Sequence, residues 1–396
     1  MRTKRTYLFF SLPKHDDAYT STPWQLAREL ALTHEVIYVD HPYNFWEAIK
    51  LFSTPKIQWR FKSYFRFSVK ELEGVSVLPT PFVWPTHFLP TGMVHRFFTN
   101  RNEKILAKRV NSFLRKRDIQ SVVYVNSFEF YYPTFQNRLH TRLNTSVYHC
   151  IDPMVKKYTL KHGPALQKQA ASNVEMIITT APALMKQFEG HDFTRVSLVP
   201  NAANFHLFNQ ALDKNLQVHQ AIPSGRKTIG YLGNIERRID FHLLLQLMER
   251  LSDFQLIMAG PIELKYVPEE VLHHPRIKFI GAVAHEDAPS VLKGFDVAII
   301  PFLIDEVSDG IYPLKLFEYL AAGKPVVTTN FNPSVLRELS QVLELAHSAN
   351  QFVELVERAA QSDTLLEREK RVAIARINTW KERAELFDQL IQLNVA

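Results

Sequence analysis

The residues best suited to chemistry in this 396-residue chain lie between Ser308 and Val327, in the run Ser-Asp-Gly-Ile-Tyr-Pro-Leu-Lys-Leu-Phe-Glu-Tyr-Leu-Ala-Ala-Gly-Lys-Pro-Val-Val. A polar, turn-rich segment there enters a helix at Pro313 and Leu314. Proline has no N–H to lose and a fixed φ, which suits a first helical position. The start of such a helix presents unpaired N–H groups and the positive end of the dipole, a favourable place for phosphate. Lys315 and Glu318 stand three apart and so share one helix face. A cation for a diphosphate beside a carboxylate that accepts two ribose hydroxyls is what a nucleotide-sugar site requires. The same residues also fit an ordinary capped helix with a surface Lys/Glu pair, and spacing alone does not choose between them.

Other chemistries lack their residues. Gly230-x-x-Gly233 is not a Gly-x-Gly-x-x-Gly fingerprint, and no Gly-x-x-x-x-Gly-Lys-Ser/Thr loop occurs, which argues against nicotinamide binding and a P-loop nucleotidase. No Asp-x-Asp triplet occurs either, so a divalent metal bridging a donor diphosphate lacks its usual carboxylates. Neither metal nor cofactor is expected, and cations with a helix dipole would take the metal's place. The one cysteine, Cys150, cannot form an internal disulfide, and no Cys/His cluster has zinc-ligand spacing. A reducing, cytoplasmic setting is the expectation.

The elements that must position these residues alternate along the chain. Strands are predicted at 6–12, 36–40, 121–125 and 146–152, with helices at 22–31 and 103–116. The pattern restarts after residue 201, with strands at 227–232, 255–259, 277–280, 297–301 and 325–328 and helices at 241–251 and 315–322. Such alternation implies parallel α/β sheets. The reading is two doubly wound, Rossmann-like domains facing a cleft, 1–204 and 205–371, with a last helix too long to serve only as a lid on the second sheet, so that 372–396 goes with the first domain. The last helix is predicted to run unbroken over about 365–393, with Trp380, Ile377 and Ala384 on one buried face. The start of the chain mimics a secretory signal, but its apolar run is short and is followed by charge, so a buried first strand is the better reading. Residues 297–304 are too few to span a bilayer.

Several stretches together resemble the retaining GT-B glycosyltransferases of family four, in particular bacterial branches acting on exopolysaccharide or wall-polymer precursors. They are Pro-Leu-Lys-Leu-Phe-Glu-Tyr-Leu-Ala-Ala-Gly-Lys-Pro-Val-Val at 313–327, Pro-Asn-Ala-Ala-Asn at 200–204 with Phe208, Gly-Tyr-Leu-Gly at 230–233, Gly260-Pro261, Gly281 and residues 296–302. The first half carries less of the resemblance, in Gln-Leu-Ala-Arg-Glu-Leu-Ala at 25–31 and residues 147–152. The resemblance implies that a sugar, of the hexosyl type, passes with retention from a nucleoside-diphosphate donor to a glycan or lipid-linked hydroxyl during cell-surface polysaccharide synthesis. It makes Glu318 the carboxylate that holds the donor ribose, and Gly233 the turn where backbone approaches the phosphates. The family's usual Arg after that glycine is replaced by Asn234, and Arg238 matches the later Lys. An earlier glutamate of the family falls on Gly310, with Asp309 adjacent. Arg238 and Lys315 would together stabilise the departing diphosphate. A sugar-nucleotide epimerase of the same fold and an inactive partner subunit are the alternatives.

On the acceptor side, Tyr-His-Cys-Ile-Asp-Pro at 148–153 ends a predicted strand, where open α/β sheets bind ligands. Asp152 matches the Asp of the family's His-Asp pair and could act as general base, or it could simply cap a turn with Pro153; His149 precedes it. The loop after the first strand adds His15 and Tyr19. Charge is uneven: residues 1–200 hold 27 Lys and Arg against 15 Asp and Glu, and residues 201–396 hold 20 against 25. Aromatics interleave with cations at 41–67 and 84–117. That pattern suits stacking on nucleic acid bases or a peripheral seat on an anionic membrane surface; no RNA-binding fingerprint is present, and the membrane, at its inner face, is the expected partner. For any single aromatic, a place in the core is the simpler reading.

Overall fold

The computed structural model describes residues 4–17, 20–66, 68–154, 157–189 and 195–395. The chain divides into two units, Met1–Pro200 with Arg383–Ala396, and Asn201–Glu382.

The first unit is built on the strands β1 (Thr6–Ser11), β2 (Glu35–Asp40), β3 (Lys70–Leu72), β4 (Val75–Leu78), β5 (Ser121–Ser127), β6 (Arg142–Cys150), β7 (Met176–Thr179) and β8 (Val196–Leu198). They form one sheet in the order β3-β4-β2-β1-β5-β6-β7-β8. All neighbours run parallel except β3 and β4, whose tight turn takes Glu73 and Gly74 through positive φ of 51° and 82°. Side chains alternate across β1. Leu8 and Phe10 pack with Leu106, Val110 and Leu114, whereas Tyr7 and Phe9 pack on the other face with Leu26, Leu30, Phe387 and Ile391. Burial on both faces explains why these strands read as nearly continuous apolar runs.

Four helices of this unit matter below: α1 (Thr22–Ala31), α2 (Phe45–Lys50), α3 (Pro55–Arg66) and α4 (Met93–Lys116). Helix α4 begins ten residues before the predicted start at 103, because its first turns carry exposed apolar side chains that break the amphipathic pattern.

The second unit has the strands β9 (Lys227–Leu232), β10 (Phe254–Ala259), β11 (Ile277–Gly281), β12 (Val297–Ile300), β13 (Val326–Thr329) and β14 (Glu344–Ala346), all parallel, in the order β11-β10-β9-β12-β13-β14. Its helices include α5 (Leu314–Ala321) and α6 (Leu365–Arg376), and α7 (Trp380–Val395), most of which belongs to the first unit, follows.

The expected single C-terminal helix is therefore two. The Asn378 carbonyl accepts from Ala203 N at 3.3 Å and Ala203 pairs with Thr379, so the backbone at 378–379 serves an extended segment rather than a helix. The Thr379 hydroxyl then bonds Glu382 across the first turn of α7. Trp380 and Ala384 are buried, but Ile377 falls in the break and is exposed, which corrects its placement on their face. The helix starts in the second unit and belongs to the first from Arg383 onward. The units change at 200/201 and 382/383, not at the predicted 204/205 and 371/372. Arg371 on α6 donates to the Gly323 carbonyl, which keeps α6 with the second sheet. In the first unit, Asp388 accepts from Tyr7 at 2.5 Å and Arg5 at 2.9 Å. Burial works against its charge, but the hydrogen bonds of Tyr7 and Gln392 and the charges of His34 and Arg5 hold its carboxyl below the usual range.

Candidate functional site

In the second sheet the strand order reverses between β9 and β12, and the loops that leave their carboxyl ends diverge there. The two loops are tied just beyond the strands. Ile239 forms an antiparallel bridge with Phe302, Asp240 N donates to Pro301 O at 2.8 Å, and Leu303 N donates to Arg238 O at 2.8 Å. Arg238 is held against the Phe302 ring, 5.6 Å from its centroid, and Lys315 Nζ approaches the same ring at 4.9 Å and Tyr231 at 5.3 Å. Two cations from different loops thus meet around one aromatic ring.

Gly233, at φ 149°, closes the approach from the other side. A Cβ there would lie 2.9 Å from Lys315 Cε, and one on Gly260 would lie 2.0 Å from the Gly233 carbonyl oxygen. A side chain at Gly260 would force the two turns apart, and one at Gly233, on a backbone whose φ L-residues rarely adopt, would displace Lys315. The following residue, Asn234, accepts from the Tyr231 hydroxyl through its backbone carbonyl at 2.8 Å, so its main chain shapes the turn.

Helix α5 begins at Leu314, one residue before the predicted 315–322 and just after Pro313. Pro313 is the N-cap, with ψ 118°, and Leu314 is the first helical residue; no side chain caps the helix. The loop that delivers it is pinned by two amides, Asn332 to Ile311 O at 2.9 Å and Asn201 to Tyr312 O at 2.8 Å. Burial pushes the Lys315 ammonium down to about 8, helped by the Arg238 charge and opposed by Glu318. Burial likewise raises Glu318 to about 7, against the pull of Lys315. No carboxylate lies within ion-pair distance of Lys315 among the described residues, whereas Arg238 pairs with Glu236. Asp309 ends a short helix, Glu306–Asp309, and Gly310 is its C-cap before the loop into α5; no hydrogen bond or ion pair joins Asp309 to Arg238, Lys315 or Glu318.

The first sheet reverses between β1 and β5, where Ser11 bridges Phe128. Phe128 adopts φ 59°, a left-handed conformation that costs an aromatic residue about 1–2 kcal/mol. Asn126 clamps the next residue, accepting from Glu129 N at 2.8 Å and donating to Glu129 O at 3.2 Å. The Glu129 carboxylate meets His41 Nδ1 at 2.6 Å through one oxygen, and the other is buried without a hydrogen-bond partner. Nearby in sequence to His41, Asp40 binds His15 Nδ1 at 2.8 Å and Arg60 at 2.6 Å, and Arg60 holds Asp16 through two further bonds at 2.7 and 2.8 Å. Burial raises the Asp16 carboxyl, but these bonds and the guanidinium charge outweigh it and keep it below the usual range.

His15, Asp16 and Asp40 bring ligand atoms within 4.8 Å of one another, the one such group among the described residues. Arg60 already bonds both carboxylates, so a divalent cation would have to displace a buried guanidinium, and the donor set does not fit a metal.

His149 is corrected to a core residue. It is 1% exposed, its Nδ1 lies 3.0 Å from the Ser127 hydroxyl, and it packs edge-on against Phe387; burial drives it down to about 3, so it stays neutral. Asp152 is exposed just past β6. Tyr19 lies outside the described residues. Asp40, His41 and Glu129 were not singled out from sequence, and Arg60, read there as one of the surface cations of 41–67, is instead buried and paired. The charged pair Asp40-His41 at the carboxyl end of a strand was a usable signal, whereas nothing marked Arg60 as inward-facing.

Comparison with known proteins fits this geometry. Residues 226–362, which hold the second-unit cluster, match the family described as Glycosyl transferases group 1. The chain is 27% identical over 197 residues to a Bacillus subtilis protein named as a teichuronic acid biosynthesis glycosyltransferase, TuaH, covering 47% of this chain and 48% of that one. It is 27% identical over 184 residues to the D-inositol 3-phosphate glycosyltransferase of Corynebacterium urealyticum, covering 41% and 42%. The chain thus spans about half the length of the curated relatives it matches. Among solved structures, sucrose-phosphate synthase of Thermosynechococcus elongatus superposes with TM-score 0.68 at 14% identity over 98% of this chain and 99% of that one. The UDP-forming trehalose-phosphate synthase of Burkholderia vietnamiensis gives 0.68 at 11% over 98% and 100%. The fold is GT-B, with two parallel-sheet α/β domains.

Proposed function

We propose that the protein is a glycosyltransferase that moves a hexosyl group from a nucleoside-diphosphate sugar to a hydroxyl of a glycan or lipid-linked glycan, with retention of anomeric configuration, in the synthesis of a cell-surface polysaccharide. The observation that carries this reading is the meeting of Lys315, Arg238 and the Gly233 turn around Phe302 beside a helix start that no side chain caps. That arrangement suits a diphosphate. Cations and backbone N–H groups fixed in advance stabilise charge as it develops on a leaving group, without reorganisation. Glu318, one helical turn beyond Lys315, would accept the ribose hydroxyls. The group 1 match over these residues supports the donor assignment, and the likeness to TuaH supports a polysaccharide product. In the first unit, Asp152 and His15 belong to the carboxyl-end loops and would serve the acceptor. No metal is assigned a role in the reaction.

The test is a panel of nucleoside diphosphates and their sugars. One nucleoside diphosphate should raise the melting temperature selectively, and release of nucleoside diphosphate from its sugar should accelerate with a glycan acceptor. NMR of the first-formed product would report the anomeric configuration. A panel with neither stabilisation nor release would remove the reading.

A further inference from the structure

Helix α3 buries Ile57, Arg60 and Ser63 along its inward face. Its guanidinium, Arg60, is 1% exposed and points inward to Asp16 and Asp40, while Phe61 and Phe65 point outward, the latter 66% exposed. The inward face is already filled by Ile57 and by Arg60 with its ion pairs, so Phe61 and Phe65 are left on the solvent side and core packing does not account for them.

The outward aromatics do not stand alone. Phe61 packs against Phe82 at 6.5 Å, and Phe45 at the start of α2 packs against Trp84 at 5.4 Å. Residues 82–84 join the two groups, since Val83 pairs with Asn44 and exchanges backbone hydrogen bonds with Tyr43 and Phe45. From Trp84 the surface continues to Phe98 at 6.2 Å and so to the first turns of α4, where Met93 is 80% and Phe97 62% exposed. Trp46 on α2 is 68% exposed. Singly exposed apolar residues are common, but a contiguous set of this kind marks an interaction surface.

Charge identifies the partner. Residues 41–117 hold 14 Lys and Arg against 4 Asp and Glu. Lys50, Lys62, Arg66 and Arg96 are exposed on the same helices as the aromatics. A second copy of this surface would meet it with like charge, which opposes self-association. Aromatics flanked by Lys and Arg match an anionic bilayer, where rings enter the headgroup and acyl boundary and cations meet the lipid phosphates. Among the described residues no helix is long and apolar enough to cross a membrane. We propose that α2, α3, the 82–84 segment and the start of α4 form a docking surface for an anionic lipid bilayer, on which the protein sits peripherally. This surface is independent of the reaction proposed above.

The experiment is sedimentation of the full chain with vesicles of phosphatidylcholine alone or with a rising fraction of phosphatidylglycerol, at low and high salt, together with tryptophan emission. Binding should rise with phosphatidylglycerol and fall with salt, since the attraction is screened within ~8 Å at physiological ionic strength, and emission should shift to the blue. Trp46→Ser, Phe65→Ser and Phe97→Ser together should weaken partitioning by roughly tenfold or more. Lys50→Glu, Lys62→Glu and Arg66→Glu together should abolish the dependence on phosphatidylglycerol. All six side chains are exposed, so an unchanged melting temperature certifies the fold. Absence of binding to phosphatidylglycerol vesicles, equal binding by wild type and the serine variant, or a dimer that the serine variant dissolves while vesicles are ignored would each overturn the proposal.

Discussion

The carboxyl edges of the two sheets solve one structural problem and reach opposite electrostatic states. In each, the strand order reverses and an antiparallel bridge ties the diverging loops, Ser11 to Phe128 in the first unit and Ile239 to Phe302 in the second. In the first unit the charges pair with one another: Arg60 takes Asp16 and Asp40, and His41 takes one oxygen of Glu129, whose other oxygen is left without a hydrogen bond. In the second, Lys315 has no carboxylate at ion-pair distance among the described residues, and burial moves both Lys315 and Glu318 toward neutrality. A closed network is held by its own pairs, so losing one member should cost stability. An open one is completed by ligand, so losing a member should cost binding. The contrast can be broken at defined points.

The largest effect is expected at Arg60. Arg60→Met leaves the buried Asp40 beside the partly exposed Asp16 without their shared guanidinium, a loss on the order of 3–5 kcal/mol of stability. Chemical denaturation would measure it; a change within a few tenths would mean that water, not Arg60, balances Asp16 and Asp40.

Lys315→Met should instead leave the melting temperature nearly unchanged and lower turnover by roughly a hundred- to a thousandfold, as expected for a group aimed at charge developing on the leaving diphosphate. Arg238→Ala should cost less, because Glu236 already shares its charge. If Lys315→Met unfolds the protein while preserving turnover per folded molecule, the two edges do not differ in kind.

A smaller loss is predicted for Glu318→Gln. If Glu318 holds the donor ribose as proposed, removing that charge-assisted bond weakens nucleotide binding by ~1.5–3 kcal/mol, about ten- to a hundredfold. The pH profile sharpens the assignment. The Lys315 ammonium is lost as pH rises through about 8, so nucleoside diphosphate affinity should decline above that pH. Glu318 favours the charged lysine, so Glu318→Gln should move the decline to lower pH. Calorimetry across pH 6–9 would read both, and an unmoved profile would separate Glu318 from Lys315.

The smallest effect is expected from chelation. Transfer should survive EDTA, since the acidic group nearest to a metal site, His15, Asp16 and Asp40, is occupied by Arg60. Loss of transfer on chelation with recovery on Mg²⁺ or Mn²⁺ would replace the cation-only account of the leaving group.

The alternation of buried strands with amphipathic helices was legible in the sequence because its causes are local. Strands such as β1 and β9 are apolar along their length, and turn residues punctuate them, so two doubly wound sheets followed from pattern alone. The grouping of residues around Lys315 was legible for a related reason: Gly233 sits just past a strand end and Pro313 and Lys315 at a helix start, where the chain's own geometry exposes backbone and restricts side chains. Arg60 was not legible. A cation in an aromatic-rich helix looks solvent-facing, and only the tertiary position of Asp16 and Asp40, one in a loop and one at the end of β2, turns it inward and sends Phe61 and Phe65 out. His149 went the other way, from a candidate ligand at a strand end to a neutral ring against Phe387, because α7 returns to cover it. Local sequence determined which elements form, since hydrogen bonding and side-chain periodicity act over a few residues. The tertiary structure decided which charges are paired, buried or left for a ligand, since those energies depend on partners tens to hundreds of residues away.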